Sequence, residues 1–280
     1  MAAPDQKSGT SAWNIELRGV TIGYSTGRPV LSDLNALLPG GRITMILGES
    51  GCGKSTLLRH LLGLMRPFSG VISMGGRDIF KLPARDFRRL RRRMGALFQD
   101  GALLGSFSLF ENVALPLREH TRLSEATITE IVDHKLSLVG LKGVGDRYPN
   151  QLSGGMRKRA GLARALVMNP PILFCDEPTS GLDPINAAQM DQLLADTARF
   201  FKDMTTVVVS HDLQSLHRMA EHVILLHNGG IAFAGDKEAF LASKNEYVLR
   251  FLNREPSAAA RPPIELAAEV QAELNSWLSE

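Results

Sequence analysis

Gly48-Glu49-Ser50-Gly51-Cys52-Gly53-Lys54-Ser55-Thr56 decides how the rest of the chain is read. Four residues separate its first glycine from Gly53-Lys54-Ser55, the spacing of a loop that wraps phosphates. Upstream, Arg42-Ile43-Thr44-Met45-Ile46-Leu47 is short, apolar and β-branched, and predicts a buried strand. Downstream, Leu57-Leu58-Arg59-His60-Leu61-Leu62-Gly63-Leu64 predicts a helix. Triphosphate oxygens need many donors at close range. Glycines let backbone N–H groups turn inward, and a helix N-terminus adds partial positive charge. Lys54 would reach the β- and γ-phosphates, the Ser55 hydroxyl would ligate Mg²⁺, and Thr56 would lie near the phosphates. Alone, the motif says nucleotide binding and no more.

A chain of 280 residues at 44% hydrophobic content can bury a sizeable core, which excludes a disordered chain. A net charge of +3 does not by itself require nucleic acid. Cys52 and Cys175 form neither a disulfide framework nor a zinc pattern, as expected of a reducing compartment. No apolar run has the length of a membrane span. Residues 1–12 are polar and small, without the apolar centre of a signal peptide, and predict a flexible leader. The expectation is a soluble cytoplasmic protein whose membrane role, if any, runs through a partner.

Before the glycine loop, Trp13 to Tyr24 alternates apolar and polar positions and predicts a strand. Tyr24 could stack on an adenine or could only cap a hairpin. Val30 to Leu38 and Val71 to Met74 predict further strands, and Met94 to Phe98 another that ends on Gln99. Between them Arg85, Arg88, Arg89, Arg91, Arg92 and Arg93 sit on a basic helix, either a phosphate or membrane-surface patch or a solvated face. From Gly101 to Pro149 the texture turns helical: a helix starts at Phe110, and another follows a cap at Ser124. Leu152-Ser153-Gly154-Gly155-Met156 then precedes a helix over 157–168 and is either a second anion-binding end or an ordinary capped loop.

Ile172 to Cys175 is an apolar strand ending in Asp176-Glu177. Behind a glycine loop, an acid at a strand end suits Mg²⁺, and the next carboxylate could polarise a water. Ser180-Gly181-Leu182-Asp183 turns into a helix. Thr205 to Val209 delivers Ser210-His211-Asp212, where His211 could touch the γ-phosphate. A hairpin over 222–234 and a helix near 236–243 close this part. Pro256 to Pro263 predicts a linker, and Ala267, Val270, Leu274, Trp277 and Leu278 share one face of a terminal helix.

Taken together, over roughly residues 14–253, the chain resembles the nucleotide-binding subunits of ABC transporters. The residues that carry the resemblance are the glycine loop at 48–56, Gln99 (Q-loop), Leu152 to Met156 (signature), Asp176 and Glu177 (Walker B), Ser180 to Asp183 (D-loop) and His211 (switch). Tyr24 stands where that family places its adenine-stacking aromatic. The resemblance implies an α/β P-loop NTPase: a RecA-like core, an antiparallel β subdomain and a helical subdomain about 101–165, all within residues 13–254. The linker would be 255–263 and the tail helix 264–280. It implies an ATPase that uses Mg²⁺ held by Ser55, Gln99 and Asp176, with Glu177 and His211 catalytic. ATP would lie on Tyr24, Gly48, Glu49, Ser50, Gly51, Cys52, Gly53, Lys54, Ser55 and Thr56. Ser153, Gly154, Gly155 and Asp183 would reach it from a second copy, in a head-to-tail homodimer.

Met156, where that family usually has Gln, and the following Arg157-Lys158-Arg159 look more narrowly like the MlaF-type ATPases of MCE phospholipid transport systems in Gram-negative envelopes. Glu111 to Thr121 points the same way. This implies an MlaE-like integral permease, an MCE lipid-binding protein, a small STAS-domain subunit and a peripheral place on the cytoplasmic face of the inner membrane. The alternatives are another ABC importer, for amino acids or similar, or a soluble ABC ATPase. The coiled-coil or zinc insertions of the soluble kind are absent from the sequence, and nucleic acid is not an expected partner.

Overall fold

A computed structural model describes residues 13–25, 27–255 and 267–278. The expected leader at 1–12 and the linker over 256–263 lie outside them. In chain order the first elements are β1 (Ile15–Ser25), β2 (Arg28–Leu38), β3 (Ile43–Leu47), α1 (Lys54–Leu61), β4 (Ser69–Met74) and β5 (Arg77–Asp78). Then come α2 (Ala84–Arg91), β6 (Met94–Leu97), α3 (Leu109–His120), α4 (Glu125–Leu138) and α5 (Gly154–Leu166), with a one-turn 3₁₀ helix at Pro149–Gln151. The remainder is β7 (Ile172–Asp176), α6 (Pro184–Phe200), β8 (Thr205–Val209), α7 (Leu213–Met219), β9 (His222–His227), β10 (Gly230–Asp236), α8 (Lys237–Leu241), α9 (Glu246–Leu252) and α10 (Ala268–Leu278).

Two sheets carry the architecture. β2-β1-β4-β5 is antiparallel, and its strands alternate, with Ile15, Leu17, Val20 and Ile22 of β1 facing inward. The second sheet runs β10-β9-β3-β8-β7-β6 and is parallel from β9 to β6. Its inner strands β3, β7 and β8 are buried along nearly their whole length and mostly apolar because both faces are covered. One face packs with Leu57, Leu58 and the antiparallel sheet, the other with α3 to α7. Parallel strands end together, so Leu47, Asp176 and Val209 reach the same edge, with Asp176 in register with Val209.

Capping fixes several boundaries. Gly53 adopts φ 106° and starts α1 at Lys54, earlier than the apolar run alone suggests. Ser153 accepts from the Met156 amide, so α5 begins at Gly154 and takes both signature glycines into its first turn. Ser124 caps α4 and Ser108 closes a capping box with Glu111 on α3. All six arginines of the 85–93 stretch are exposed. Arg89 pairs with Asp86 at 3.7 Å, and Arg91 and Arg93 lie over Phe87 and Trp13. α10 forms as the apolar spacing predicts, and none of its residues is buried.

Candidate functional site

The loop from Gly48 to Gly53 turns between the end of β3 and the start of α1. At Gly48, φ 151°, a Cβ would lie 2.5 Å from Cys52 Sγ and 2.8 Å from the Leu226 carbonyl oxygen. At Gly53 it would meet Leu31 Cγ at 2.9 Å. Only glycine fits both places. α1 has no side-chain cap, so its first N–H groups stay available at the loop. Lys54 is 7% exposed, and its Nζ donates to the carbonyls of Gly48 at 2.8 Å and Glu49 at 2.9 Å. An ammonium has three donors, so one remains for an anion in the cradle. Burial pushes the Cys52 thiol up despite Lys54 beside it, so Cys52 stays a neutral thiol.

Tyr24 is 60% exposed. Its hydroxyl lies 3.0 Å from Thr56 Oγ1, and the Arg59 guanidinium sits 5.9 Å from the ring centre. The ring is therefore held at its rim and leaves a face open. Ser55 Oγ donates to Asp176 Oδ1 at 3.5 Å across 121 residues of sequence. Burial, then the adjacent Glu177, raise the Asp176 carboxyl above the usual range. Gln99 is exposed just after β6. A half-buried carboxylate beside a hydroxyl fits Mg²⁺, which takes one or two protein oxygens plus phosphates and waters.

Glu177 sits at φ 47°, a left-handed conformation that non-glycine residues rarely adopt. Its amide donates to the Val209 carbonyl at 2.9 Å. Its side chain is 14% exposed, and His211 Nδ1 lies 3.0 Å from Oε1 and 2.9 Å from Oε2. Acid and imidazole thus meet at the ends of β7 and β8. The arrangement can orient a water against a bound phosphate.

Ser153, Gly154 and Gly155 lie elsewhere. Among the described residues no hydrogen bond joins them to the glycine loop. They face the turn after β7: Leu182 Cδ2 would lie 3.9 Å from a Cβ on either glycine. The Asp183 carboxylate caps α6 through the Ile185 and Asn186 amides, and the Asn186 side chain above all holds it below the usual carboxylate range.

The residues 31–180 match the ABC transporter family. The chain belongs to that family. A mycobacterial ABC relative, the probable ribonucleotide transport ATP-binding protein mkl of Mycobacterium tuberculosis H37Rv, is 42% identical over 240 residues. That match takes in 86% of this chain, which spans only 66% of mkl's own length. The intermembrane phospholipid transport system ATP-binding protein MlaF of Haemophilus influenzae is 39% identical over 248 residues, 88% of this chain and 93% of MlaF. Among solved ABC structures, the dimeric post-hydrolysis state of the ATP-binding cassette MJ0796, bound to ADP and Pi, superposes with a TM-score of 0.72 at 31% identity. It covers 80% of this chain and 98% of its own.

Three contacts of this ABC chain escape its motifs. Tyr247, on the short helix α9, stacks on His227 at 3.5 Å and donates to Glu49 Oε1 at 3.3 Å. Only Asn245, an N-cap residue, signals that helix in the sequence. Arg164 of α5 donates to the carbonyls of Gly101 and Ala102, just beyond Gln99. Lys158 is buried and donates to the turn after Glu177.

Proposed function

We propose that this chain is the ATP-hydrolysing subunit of an ABC transporter complex that energises phospholipid transport across the Gram-negative envelope and so maintains outer-membrane lipid asymmetry. The observation that carries the ATPase reading is the meeting, at one sheet edge, of the glycine loop with Lys54, the Ser55–Asp176 pair and the Glu177–His211 pair. The phospholipid reading is supported by likeness to MlaF over nearly its full length, and by Ser-Gly-Gly-Met followed by Arg157-Lys158-Arg159. The name of mkl points to another cargo, but that likeness spans a smaller share of the relative.

In this reading the residues divide the work. Tyr24 stacks on the adenine, and the loop amides with Lys54 hold the β- and γ-phosphates. Ser55, Asp176 and Gln99 would hold Mg²⁺, which would supply charge neutralisation at the phosphates. Glu177 orients and deprotonates the attacking water, and His211 fixes the carboxylate through Nδ1–H and faces the γ-phosphate. Ser153, Gly154, Gly155 and Asp183 serve the ATP of the second copy. Two helix N-termini per chain, the uncapped start of α1 and the Ser153-capped start of α5, are what such a homodimer uses, and the solved dimer of a related cassette supports the pairing. The domain limits stay as read from sequence: a cassette over 13–254 with a helical subdomain about 101–165, then a linker and a tail helix.

No helix among the described residues is long and apolar enough to cross a membrane. The membrane-spanning work then falls to an MlaE-like permease, joined by an MCE lipid-binding protein and a STAS-domain subunit at the cytoplasmic face of the inner membrane. The test is capture of the tagged chain from detergent-solubilised native membranes, with companions and lipids identified by mass spectrometry. A permease of that type with an MCE protein and phospholipid is the expected result. A different permease overturns the cargo, and no membrane partner overturns the transport role.

A further inference from the structure

We propose that Lys158 is a positioning residue: a buried ammonium that ties the signature helix to the backbone of the Glu177 turn, and so couples one nucleotide site to the other. The proposal rests on the ATP-sandwich reading above. In that reading the α5 N-terminus grips the partner's ATP while Glu177 serves the chain's own.

The geometry starts from α5. A helical side chain leans toward the N-terminus of its helix, so Lys158, in the second turn, reaches back toward Ser153 to Gly155. It is 4% exposed. Its Nζ donates to the Ser180 carbonyl at 2.6 Å, Ser180 Oγ at 3.1 Å and the Glu177 carbonyl at 3.1 Å. Three donors meet three acceptors, and none is a carboxylate. Asp100 and Glu177 act on the ammonium only through space, and burial lowers its pKa.

That is an expensive way to fill space. Taking an ammonium out of water is costly, and a methionine would occupy similar volume without that penalty. What the charge adds is directional grip on one turn. The Glu177 carbonyl also accepts from the Ser180 amide at 3.2 Å and Ser180 Oγ at 3.0 Å, so three donors converge on one oxygen. The same residue holds the φ of 47° that aims its carboxylate at His211. Left-handed conformations outside glycine persist where the surroundings over-determine them, and Lys158 is one of the determinants. Beyond Ser180 the turn runs through Leu182, which packs beneath Gly154 and Gly155. Any shift of the α5 N-terminus on gripping a phosphate therefore moves the Lys158 anchor. Through it the shift reaches the peptide that carries Glu177.

The experiment uses the full chain. Steady-state ATPase against ATP concentration is measured for wild type, Lys158→Met, Lys158→Gln and Ser180→Ala, with ATP affinity read separately by calorimetry without Mg²⁺. Wild type is expected to show a Hill coefficient above unity, as two coupled sites give. Lys158→Met is expected to lower kcat roughly ten- to a hundredfold, the scale of one charged hydrogen bond, and to bring the Hill coefficient to unity with ATP affinity within about twofold. A Lys158→Met chain with wild-type kcat and cooperativity overturns the proposal. So does one whose ATP affinity and melting temperature fall along with kcat, which is a packing role only. Where Lys158→Met does not fold, Ser180→Ala and the Lys158→Gln/Ser180→Ala double variant decide. The double is expected to be no slower than Lys158→Gln alone, and independent multiplying losses overturn the link. A wild-type chain that turns over no ATP overturns the function on which the proposal rests.

Discussion

Replacing Glu177 by Gln tests the chemistry with little disturbance of the fold. Gln has the same length and tolerates the same left-handed backbone, whose amide stays bonded to Val209. Its Oε1 can still accept from His211 Nδ1–H, which lies about 3 Å from the carboxylate. What is lost is the ability to take a proton. The side chain is only 14% exposed, so bulk water has little access to replace it as a base. A positioned general base contributes about 10²–10⁴ in rate, or about 3–5 kcal/mol of barrier. We expect kcat to fall by that factor while ATP affinity stays within about threefold, because Lys54 and the loop amides are untouched. With hydrolysis blocked and binding intact, ATP-bound dimer accumulates. Phosphate release, calorimetric ATP binding and gel filtration with and without ATP read the three quantities. A Glu177→Gln chain that hydrolyses ATP at near wild-type rate would refute the assignment. A chain that loses ATP binding would show instead that the carboxylate shapes the cradle.

Lys54→Ala removes both loop-bridging hydrogen bonds and the remaining donor to the anion. ATP affinity is expected to weaken about ten- to a hundredfold, and calorimetry returning wild-type affinity would contradict the cradle. Burial and the Glu49 carboxylate push the Tyr247 hydroxyl up to about 12, from an ordinary value near 10. A raised folded pKa supplies stability that is present below pH about 10 and lost as pH rises through about 12. The stability difference between wild type and Tyr247→Phe should therefore shrink across that window in chemical denaturation; a constant difference removes the linkage. Deleting 256–280 should leave the unfolding free energy within about 0.5 kcal/mol, since no residue of α10 is buried. A large drop in calorimetry would show that the tail supports the domain.

The sequence was most legible where chemistry requires a residue type at fixed spacing. The glycine loop, the acid pair after β7 and the Ser124 cap each follow from local geometry, and each element forms around them. Long-range pairings were not legible. Ser55 reaches Asp176 because β8 lies between β3 and β7, a crossover that hydropathy cannot display. Lys158 read as one cation among Arg157, Lys158 and Arg159, since periodicity does not show that only the middle one turns inward. Tyr247 escaped for a related reason. A seven-residue helix has too few turns to establish a period, and its contact with Glu49 spans 198 positions.

The sheet order also explains why so few residues suffice. From β3 across β8 to β7 is two strand spacings, roughly 10 Å. Lys54 and Ser55 arrive from the first strand, His211 from the second, and Asp176 and Glu177 from the third. In the proposed mechanism these residues, as donor, cation-binding oxygens and base, span a terminal phosphate from neighbouring strand ends. The second proposed anion-binding end, at Ser153, is carried by a different helix, and among the described residues no hydrogen bond joins it to the first. In the proposed sandwich, one chain holds two half-sites that serve different triphosphates. In that proposal two chains related by a twofold axis complete both at once, and rotation of α5 in one half-site reaches Glu177 of the other through the Lys158 anchor.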